Sequence, residues 1–415
     1  MLFRSVTYAH PSLEPALRET FGLLVYEEHI LLVANGFAGL PWGKADLLRR
    51  ALVKNKDHAK INALGEEFRC CGLARGHTAK DVEKVWEQLR EFAGYMFNKA
   101  HSAAYAVEAF QGAWIKARYP IEYLSSVLSN RRGFYSPIVY VLEALRAGAQ
   151  FLAPEVATSD AHRFQVRGTK VRLPLDQVKG LNTATVDRIT AGRPFSDAGD
   201  FFRRAKPQHD EWVALLKTGA LDCFLEPRGR LFWRLSRLEA MRGAAPTLFE
   251  QDMPTTGDDA PDAKETLQAR WEQELLGFPV SCNPLDYYAP ELDWSHYTPA
   301  SELLHHPERY FHQEFEVAGV IVADRIHPTT AGPMKFVTLA DPTGFMEVTM
   351  FANVYQEFGH LTANPVIAAR CMADPFDNRK GVMLNASRIY TPTSKRLQSP
   401  KSTQLIPELR QSQNA

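Results

Sequence analysis

The apolar residues of this chain change their spacing partway along, and this change constrains the fold more than any other feature. Before about residue 240 they recur every three or four positions, as in helices that bury one face. From residue 314 to residue 390 they alternate with polar residues, as in half-buried strands. The chain has 415 residues, enough for roughly two to four domains. We therefore predict a multidomain α + β protein with a helical N-terminal part and a β domain near the C-terminus.

Local signals divide the helical part. Thr78 to Asp81 has capping-box form, and an apolar stripe follows it. A second helix is expected from about Ser102 to Arg118, and a third from Ser136-Pro137 to Gly148. Residues 164 to 175 alternate around Gly168 as in a short hairpin, and short helices are expected again up to residue 241.

Five runs with a period of two, separated by turn sequences, predict an OB-type barrel. A short helix is expected between the third and fourth strands, at Asn353 to Phe358. The predicted strands are Phe315 to Ile321, Lys335 to Leu339, Met346 to Phe351, Val366 to Met372 and Val382 to Ile389.

The charges balance over the whole chain, with 48 basic and 48 acidic residues, but not locally. Residues 161 to 243 hold 16 Lys and Arg against 9 Asp and Glu, and residues 250 to 293 hold 11 acids against 2 bases. This pattern is compatible with a basic nucleic-acid face followed by an acidic linker, and equally with solvated surface helices.

Several classes of protein are not favoured. No stretch of eighteen residues is apolar without a charge, and the first residues lack signal-peptide form, so we expect a cytoplasmic chain with no membrane partner. The five cysteines include no C-x-x-C pair, which argues against a disulfide framework and a zinc site.

Three segments resemble a known family. They are residues 10 to 52, which contain ADLLRR, residues 92 to 130, which contain FNKAHSAAYA, and residues 274 to 288, which read ELLGFPVSCNPLDYY. Together they resemble the C-terminal part of the alpha subunit of bacterial DNA polymerase III, the C-family polymerases, including error-prone paralogues. The resemblance implies the following order of domains: a partial helical fingers domain at 1–150, a tandem helix-hairpin-helix region at 151–245, an acidic linker and connector at 246–313, a five-stranded OB-fold at 314–390 and a disordered tail at 391–415.

The ADLLRR segment is basic by composition, and its leucines can anchor a helix to a core. Such a helix can aim guanidinium groups at a triphosphate, although a solvated basic helix has the same composition. The resemblance implies that Lys44, Arg49 and Arg50 bind the phosphates of the incoming nucleotide.

The polar residues of FNKAHSAAYA precede a helix, where they can cap it or contact a phosphate. Both interpretations stay open for Asn98, Lys99, His101 and Ser102.

Two glycine-containing segments of the basic region resemble helix-hairpin-helix motifs, in which backbone N–H groups approach a DNA phosphate. In the first motif, Asn182 stands where glycine is usual. Asparagine is a residue that tolerates a left-handed backbone. The implied DNA contacts are Lys179, Gly180, Asn182 and Thr183 in the first motif and Lys217 and Gly219 in the second. In the barrel, aromatic and basic residues suit single-stranded DNA, with Arg325, Lys335, Phe336, Arg379 and Lys380 as candidates.

Residues 245 to 249 occupy the position of the family's sliding-clamp peptide. Leu248 and Phe249 supply its apolar anchor, while Ala245 replaces a glutamine.

Nucleotidyl transfer by two metals needs closely placed carboxylates, and no D-x-D cluster precedes Arg49. We therefore expect that the phosphoesterase-like and palm domains are absent, that no catalytic residue or metal ligand lies in this chain, and that Mg²⁺ enters only with a palm-bearing polypeptide. The resemblance predicts a DNA-directed DNA polymerase part that binds deoxynucleoside triphosphate, primer-template duplex and single-stranded template, and that is inactive alone. The alternatives are a non-catalytic DNA-binding accessory protein and a decayed gene product.

Overall fold

The computed structural model describes residues 6–54, 58–92, 96–241, 265–376 and 381–392. The chain divides into two compact units, Met1–Ile115 and Lys116–Ala415. No helix within the described ranges is long and apolar enough to cross a membrane.

The first unit is helical. Its core contains Ile30, Leu48, Phe68 and Trp86, each at most 2% exposed. The helices are α1 (Glu14–Leu17), α2 (Glu27–Gly36), α3 (Trp42–Lys54), α4 (His58–Ala74), α5 (Ala79–Phe92) and α6 (Lys99–Arg118).

The predicted capping box opens α5. The Oγ1 of Thr78 accepts from the N–H of Asp81 at 3.1 Å, and the stripe that follows packs into the core. Gly65 of α4 lies directly beneath the Trp86 ring of α5, where an added Cβ would come within 2.4 Å of a ring carbon. The two helices therefore approach closely only because residue 65 has no side chain.

Helix α6 begins three residues before its predicted start and has no buried residue. Its large apolar side chains are open to solvent, with Phe110 71% and Tyr105 60% exposed. An apolar stripe of helical period that faces no core is unusual in a folded chain.

The second unit begins with helices and a small sheet. The predicted hairpin forms around Gly168, whose φ is 61°, and a parallel strand that was not predicted extends it. These elements are α7 (Pro120–Asn130), α8 (Pro137–Arg146), β1 (Gln150–Leu152), β2 (Gln165–Arg167) and β3 (Lys170–Arg172).

Short helices follow and share one apolar core with α7, α8 and the small sheet. Leu276 and Phe278 of the predicted connector belong to this core, so this part of the connector is packed and is not a free linker. The helices are α9 (Thr183–Gly192), α10 (Ala198–Ala205), α11 (His209–Lys217), α12 (Arg228–Ala240), α13 (Glu265–Leu276), α14 (Pro284–Tyr288) and α15 (Ala300–His305).

A closed five-stranded barrel completes the second unit, as predicted. Its strands are β4 (Glu314–Thr329), β5 (Gly332–Ala340), β6 (Phe345–Met350), β7 (Val366–Phe376) and β8 (Gly381–Tyr390), and α16 (Ala352–Phe358) lies between β6 and β7. The strand order is β4-β5-β6-β8-β7, in which β6 pairs with β8 in parallel and the other neighbours are antiparallel. Strand β4 ends eight residues later than predicted, because its far half pairs only with β5 in an exposed ribbon.

Candidate nucleic-acid interface

Helix α3 holds two arginines on one carboxylate. Asp46 Oδ1 accepts from Arg49 Nε and Nη2 at 3.0 and 2.9 Å, and Asp46 Oδ2 lies 2.8 Å from Arg50 Nε. Hydrogen bonds from Arg49 lower the pKa of the Asp46 carboxyl below its ordinary value. The helical spacing of three and four residues brings these groups together, so α3 presents a fixed pair of guanidinium groups.

The two arginines differ in surroundings. Arg49 also donates to Glu27 of α2 at 2.6 Å, and its side chain is 23% exposed. The Arg50 side chain is 63% exposed. Lys44, one turn earlier, lies on the exposed surface with its Nζ 2.9 Å from Glu67. The exposed Arg50 is therefore held by one carboxylate, whereas a phosphate must compete with two carboxylates for Arg49.

The start of α6 is capped. Asn98 Oδ1 accepts from the N–H of His101 at 2.9 Å, and the Glu28 carboxylate accepts from the N–H of Lys99 at 3.0 Å. The Lys99 Nζ lies 2.6 Å from Glu19. Of the residues expected to cap the helix or contact substrate, Asn98 therefore caps it, and Lys99 is held by acids of the same unit. His101 and Ser102 lie in the first turn, where His101 packs against Tyr105.

The first predicted hairpin turns at Gly180, whose φ is 88°. Lys179 and Gly180 are both exposed, and the N–H of Lys179 donates to Leu275 O at 2.8 Å. Among the described residues, no protein acceptor is bonded to the N–H of Gly180. This segment can therefore offer a backbone donor and a lysine side chain to an anion.

Asn182 does not adopt the left-handed backbone that asparagine tolerates. Its φ is −74° and its ψ is 141°, and its side chain caps α9 by accepting from the N–H of Ala184 at 2.9 Å. The N–H of Asn182 donates to the buried Glu211 of α11, which also accepts from the Thr185 hydroxyl. Asn182 is thus the N-cap of α9 because an amide side chain suits an extended backbone before a helix. Thr183 is the first residue of α9 and is exposed.

The second predicted hairpin is not open to a phosphate at its glycine. Gly219 is buried, its φ is 81°, and its N–H donates to Leu216 O at 3.1 Å. The Arg228 guanidinium covers it and bonds Asp222 at 2.6 Å. The backbone of Gly219 therefore ends α11, as glycines do after helices. Lys217 remains partly exposed, with its Nζ 5.6 Å from the centre of the Trp271 ring.

The barrel candidates also separate by burial. Arg325 is exposed on the β4–β5 ribbon and lies over the half-buried Phe336 ring at 4.4 Å. Lys335 was expected to contact DNA but is 4% exposed, with its Nζ 2.5 Å from Asp324 and 2.8 Å from the Thr362 hydroxyl. Lys335 is therefore part of the barrel interior, because the inward positions of a strand alternate with the outward ones. The candidates Leu248, Phe249, Arg379 and Lys380 lie outside the described residues.

Sequence patterns did not reveal the carboxylates that hold the Arg49 guanidinium and the backbone N–H of Asn182. Glu27 precedes Arg49 by 22 residues, and Glu211 follows Asn182 by 29. Asp46 carries a local signal, since an acid three or four residues before two arginines on a helix predicts ion pairs.

Two family models match parts of this chain. The bacterial DNA polymerase III alpha subunit finger domain matches residues 3–75, which include α3 and its arginine pair. The helix-hairpin-helix motif matches residues 148–231, which include both predicted hairpins.

Curated proteins match over a longer range. The DNA polymerase III subunit alpha of Aquifex aeolicus is 29% identical over 398 residues, covering 93% of this chain and 33% of that protein. The corresponding subunit of Thermus aquaticus is 31% identical, covering 84% of this chain and 30% of that protein. The error-prone DNA polymerase of Symbiobacterium thermophilum is 27% identical, covering 92% of this chain and 40% of that protein.

The chain thus spans 30% to 40% of the length of these relatives. The matched finger domain and the matched helix-hairpin-helix motif occur in the order that the earlier resemblance implies. From end to end of the matched range, the chain is a relative of the bacterial DNA polymerase III alpha subunit and corresponds to a C-terminal portion of it.

Proposed function

We propose that this chain forms the part of a bacterial DNA polymerase that grips primer-template DNA and the phosphates of the incoming nucleotide. The observation that carries the proposal is the pair of guanidinium groups on Asp46, within the segment that matches a finger domain. A triphosphate needs several cations at a fixed spacing, and arginines held in advance lose less conformational freedom on binding.

DNA grip is assigned to the first hairpin. Gly180 and Lys179 combine a backbone donor with a positive charge at an exposed turn, and this combination binds phosphate without reading sequence. The exposed Arg325 over Phe336 on the barrel ribbon adds a cation and an aromatic ring, which suit single-stranded template.

The reaction itself is assigned to carboxylates outside these 415 residues. Every acid that precedes Arg49 already has a cation or backbone N–H as a partner, and nucleotidyl transfer needs carboxylates that converge on Mg²⁺. These acids and their partners are Glu14 with Arg18, Glu19 with Lys99, Glu27 with Arg49, Glu28 with the N–H of Lys99, and Asp46 with Arg49 and Arg50.

A palm-bearing polypeptide would bring those carboxylates and the Mg²⁺. The exposed apolar face of α6 supports such a partner, because Val107 and Phe110, which lie on one side of the helix, are each more than half exposed. Exposed apolar patches are typical of protein–protein interaction sites.

The alternative is a DNA-binding accessory protein that no longer binds nucleotide. The contacts of Arg49 favour it, since both Glu27 and Asp46 occupy this guanidinium. The two functions differ in the role of Arg50, which only the polymerase part would need for binding nucleotide.

The first test is a gel shift of primed template at low and moderate salt, with primer extension in Mg²⁺ and all four nucleotides alongside. We expect binding without extension. Replacing Lys179 by Ala should weaken binding several-fold and lower the salt slope by about 0.9, the value for one phosphate contact. Lys80→Ala, an exposed lysine of α5, is the matched control and should change neither.

The second test is binding of a fluorescent deoxynucleoside triphosphate to the complex with primed DNA. Arg50→Ala should weaken this binding about ten-fold, the loss expected for a charge-assisted contact. Equal binding to the variant would favour the accessory function. Primer extension by the unmodified chain would mean that the catalytic carboxylates lie within it, and would overturn their assignment to another polypeptide.

Clamp binding through Leu248 and Phe249 remains a separate proposal. A pull-down with the sliding clamp should lose its signal when both residues are changed to Ala. No signal from the unmodified chain would reject it.

A further inference from the structure

A cavity of about 360 Å³ lies next to the first hairpin but takes no part in the contacts described above. Its walls come from the end of α7, the turn before α8, and the segment that leads into the hairpin. The Arg131 side chain is 51% exposed and Tyr135 is 55% exposed, so the cavity opens to solvent. Its volume is at the lower end of the range for small-molecule sites, which suits one flat ring system and its sugar.

The cavity is aromatic inside and polar at its edge. Phe278 and Phe164 are 2% and 8% exposed and form an apolar floor together with Leu128. Tyr135 and Tyr140 stand on the wall with their rings 6.3 Å apart. Flat apolar walls with a few polar groups are typical of sites for heteroaromatic rings.

The polar edge is held in place by hydrogen bonds. Arg131 Nη2 lies 2.7 Å from Asp176 Oδ1 and 3.1 Å from the Asp176 carbonyl, and His162 lies 2.9 Å from Asp176 Oδ2. The Tyr140 hydroxyl accepts from the N–H of Tyr135 at 3.1 Å, which leaves its own proton to donate. Donors and an acceptor therefore stand at fixed positions around the opening.

The backbone of the turn that carries Tyr135 lies close to the Tyr140 ring. Arg131 has a φ of 51°, and Gly133 lies so close to the Tyr140 ring that an added Cβ would come within 2.4 Å of it. Because Gly133 has no side chain, the turn can lie directly against the cavity wall.

The position in the chain points to nucleic acid. Gln177 lines the cavity and precedes Gly180 by three residues, a span of at most roughly 10 Å. Arg132 lies between two lining residues and is exposed, and Phe134 is 92% exposed. An arginine and an aromatic ring beside an aromatic cavity are the elements that bind unpaired bases and their phosphates.

We propose that this cavity accepts one unpaired nucleobase of a DNA strand whose backbone is held at the first hairpin. The proposal rests on the DNA grip under Proposed function, and it adds a base-binding site to that grip. The base stacks on Tyr135 with Tyr140 beside it, its edge meets Asp176 and Arg131, and its phosphate lies toward Arg132.

The probe is 2-aminopurine deoxyriboside 5′-monophosphate, whose fluorescence falls when the base stacks on aromatic rings. Titrated into the full chain, it should give saturable quenching. Tyr135→Ala removes a stacking wall and should weaken binding about ten-fold, as for the loss of one stacked ring. Val127→Phe fills the cavity and should abolish quenching. Leu304→Ala changes an exposed apolar residue of α15 and should bind as the intact chain does.

Circular dichroism of each variant checks folding, and if Val127→Phe fails to fold, the exposed Tyr135 decides the result. Flat titration of the intact chain, or equal quenching by Tyr135→Ala, overturns the base-binding site. The gel shift of primed DNA separates the two proposals. A gel shift of primed DNA together with no quenching in the titration would support the DNA grip and reject the base site. Saturable quenching without a gel shift would support the base site and reject the DNA grip.

Discussion

Arg49 and Arg50 are neighbours in the chain, but their different surroundings give them different roles. Arg49 ties α3 to α2 through Glu27 and is mostly buried, whereas Arg50 reaches solvent from the same Asp46 carboxylate. The first guanidinium therefore contributes mainly to the stability of the unit, and the second mainly to its binding surface.

Replacing Arg49 by Ala should lower the free energy of unfolding of the first unit by about 1–2 kcal/mol, because the partly buried Glu27 loses its partner and Asp46 keeps only Arg50. Arg50→Ala should change the free energy of unfolding by less than about 0.5 kcal/mol, since its side chain is largely exposed. Urea unfolding followed by circular dichroism measures both. Equal destabilisation by the two substitutions would contradict this division.

The sequence did not predict which candidate DNA contacts are covered by other residues. Lys335 lies inside the barrel and Gly219 lies beneath Arg228. A lysine in a β run and a glycine after a helix look the same in sequence whether they are open or covered, because burial depends on distant residues such as Asp324 and Arg228.

At the scale of elements, α5 and α6 show what hydrophobic period can and cannot predict. Both helices were predicted from their spacing and both are present. The apolar stripe of α5 lies in a core, while that of α6 faces solvent. Period fixes the type of an element, but only tertiary packing decides what covers its apolar side.

The close packing of α4 on α5 gives a matched pair of glycine substitutions. Gly65→Ala should destabilise the first unit by about 1–3 kcal/mol, because the new Cβ would overlap the Trp86 ring. Gly43→Ala, at an open position near the start of α3, should be neutral or stabilise by about 0.5 kcal/mol, because alanine favours helices. Thermal unfolding of both variants checks this. A loss of stability in Gly43→Ala as large as that in Gly65→Ala would reject the steric explanation.

Helix α10 depends on an acidic N-cap. Asp197 Oδ1 accepts from the N–H groups of Gly199 and Asp200 at 2.7 and 2.9 Å, and the bond from Asp200 lowers the pKa of the carboxyl. A lowered pKa in the folded state means that the stabilisation is complete above the ordinary value of 3.8 and is lost as the pH falls through the lower folded value.

Asp197→Ala should therefore lower the free energy of unfolding by about 1 kcal/mol at neutral pH. The difference in free energy of unfolding between this variant and the unmodified chain should become smaller below about pH 4. Urea unfolding at several pH values measures this. Asp187→Ala, an exposed position within α9, is the control and should show no such trend. A constant difference across the pH range would exclude the charge of Asp197 as the cause.

At the scale of the whole molecule, the order of a helical part before a barrel was predictable because long alternating runs of apolar residues occur only after residue 313. The closed barrel itself is confirmed, as is the short helix α16. The added strand β1 and the ribbon of β4 and β5 were not predicted. Three residues carry too weak a pattern for β1, and an exposed ribbon has no buried face to impose alternation.

The exposed face of α6 should bind apolar dyes. The double substitution Phe110→Ser and Trp114→Ser should lower the fluorescence of bound anilinonaphthalene sulfonate several-fold, because it removes large rings from one patch. Leu304→Ser, an exposed apolar residue outside that patch, should have little effect. Unchanged dye fluorescence in the double variant would mean that the face is covered in solution.

Glu211 makes the two helix-hairpin-helix segments a single body. From α11, its buried carboxylate accepts from the N–H of Asn182 and the hydroxyl of Thr185, so the start of α9 cannot shift without the second segment. Glu211 thereby holds the segment that carries Lys179 against the helix that carries Lys217. On the proposed function, the two lysines would reach only phosphates whose spacing matches their separation, so the protein would distinguish helical forms of nucleic acid by geometry without reading a base.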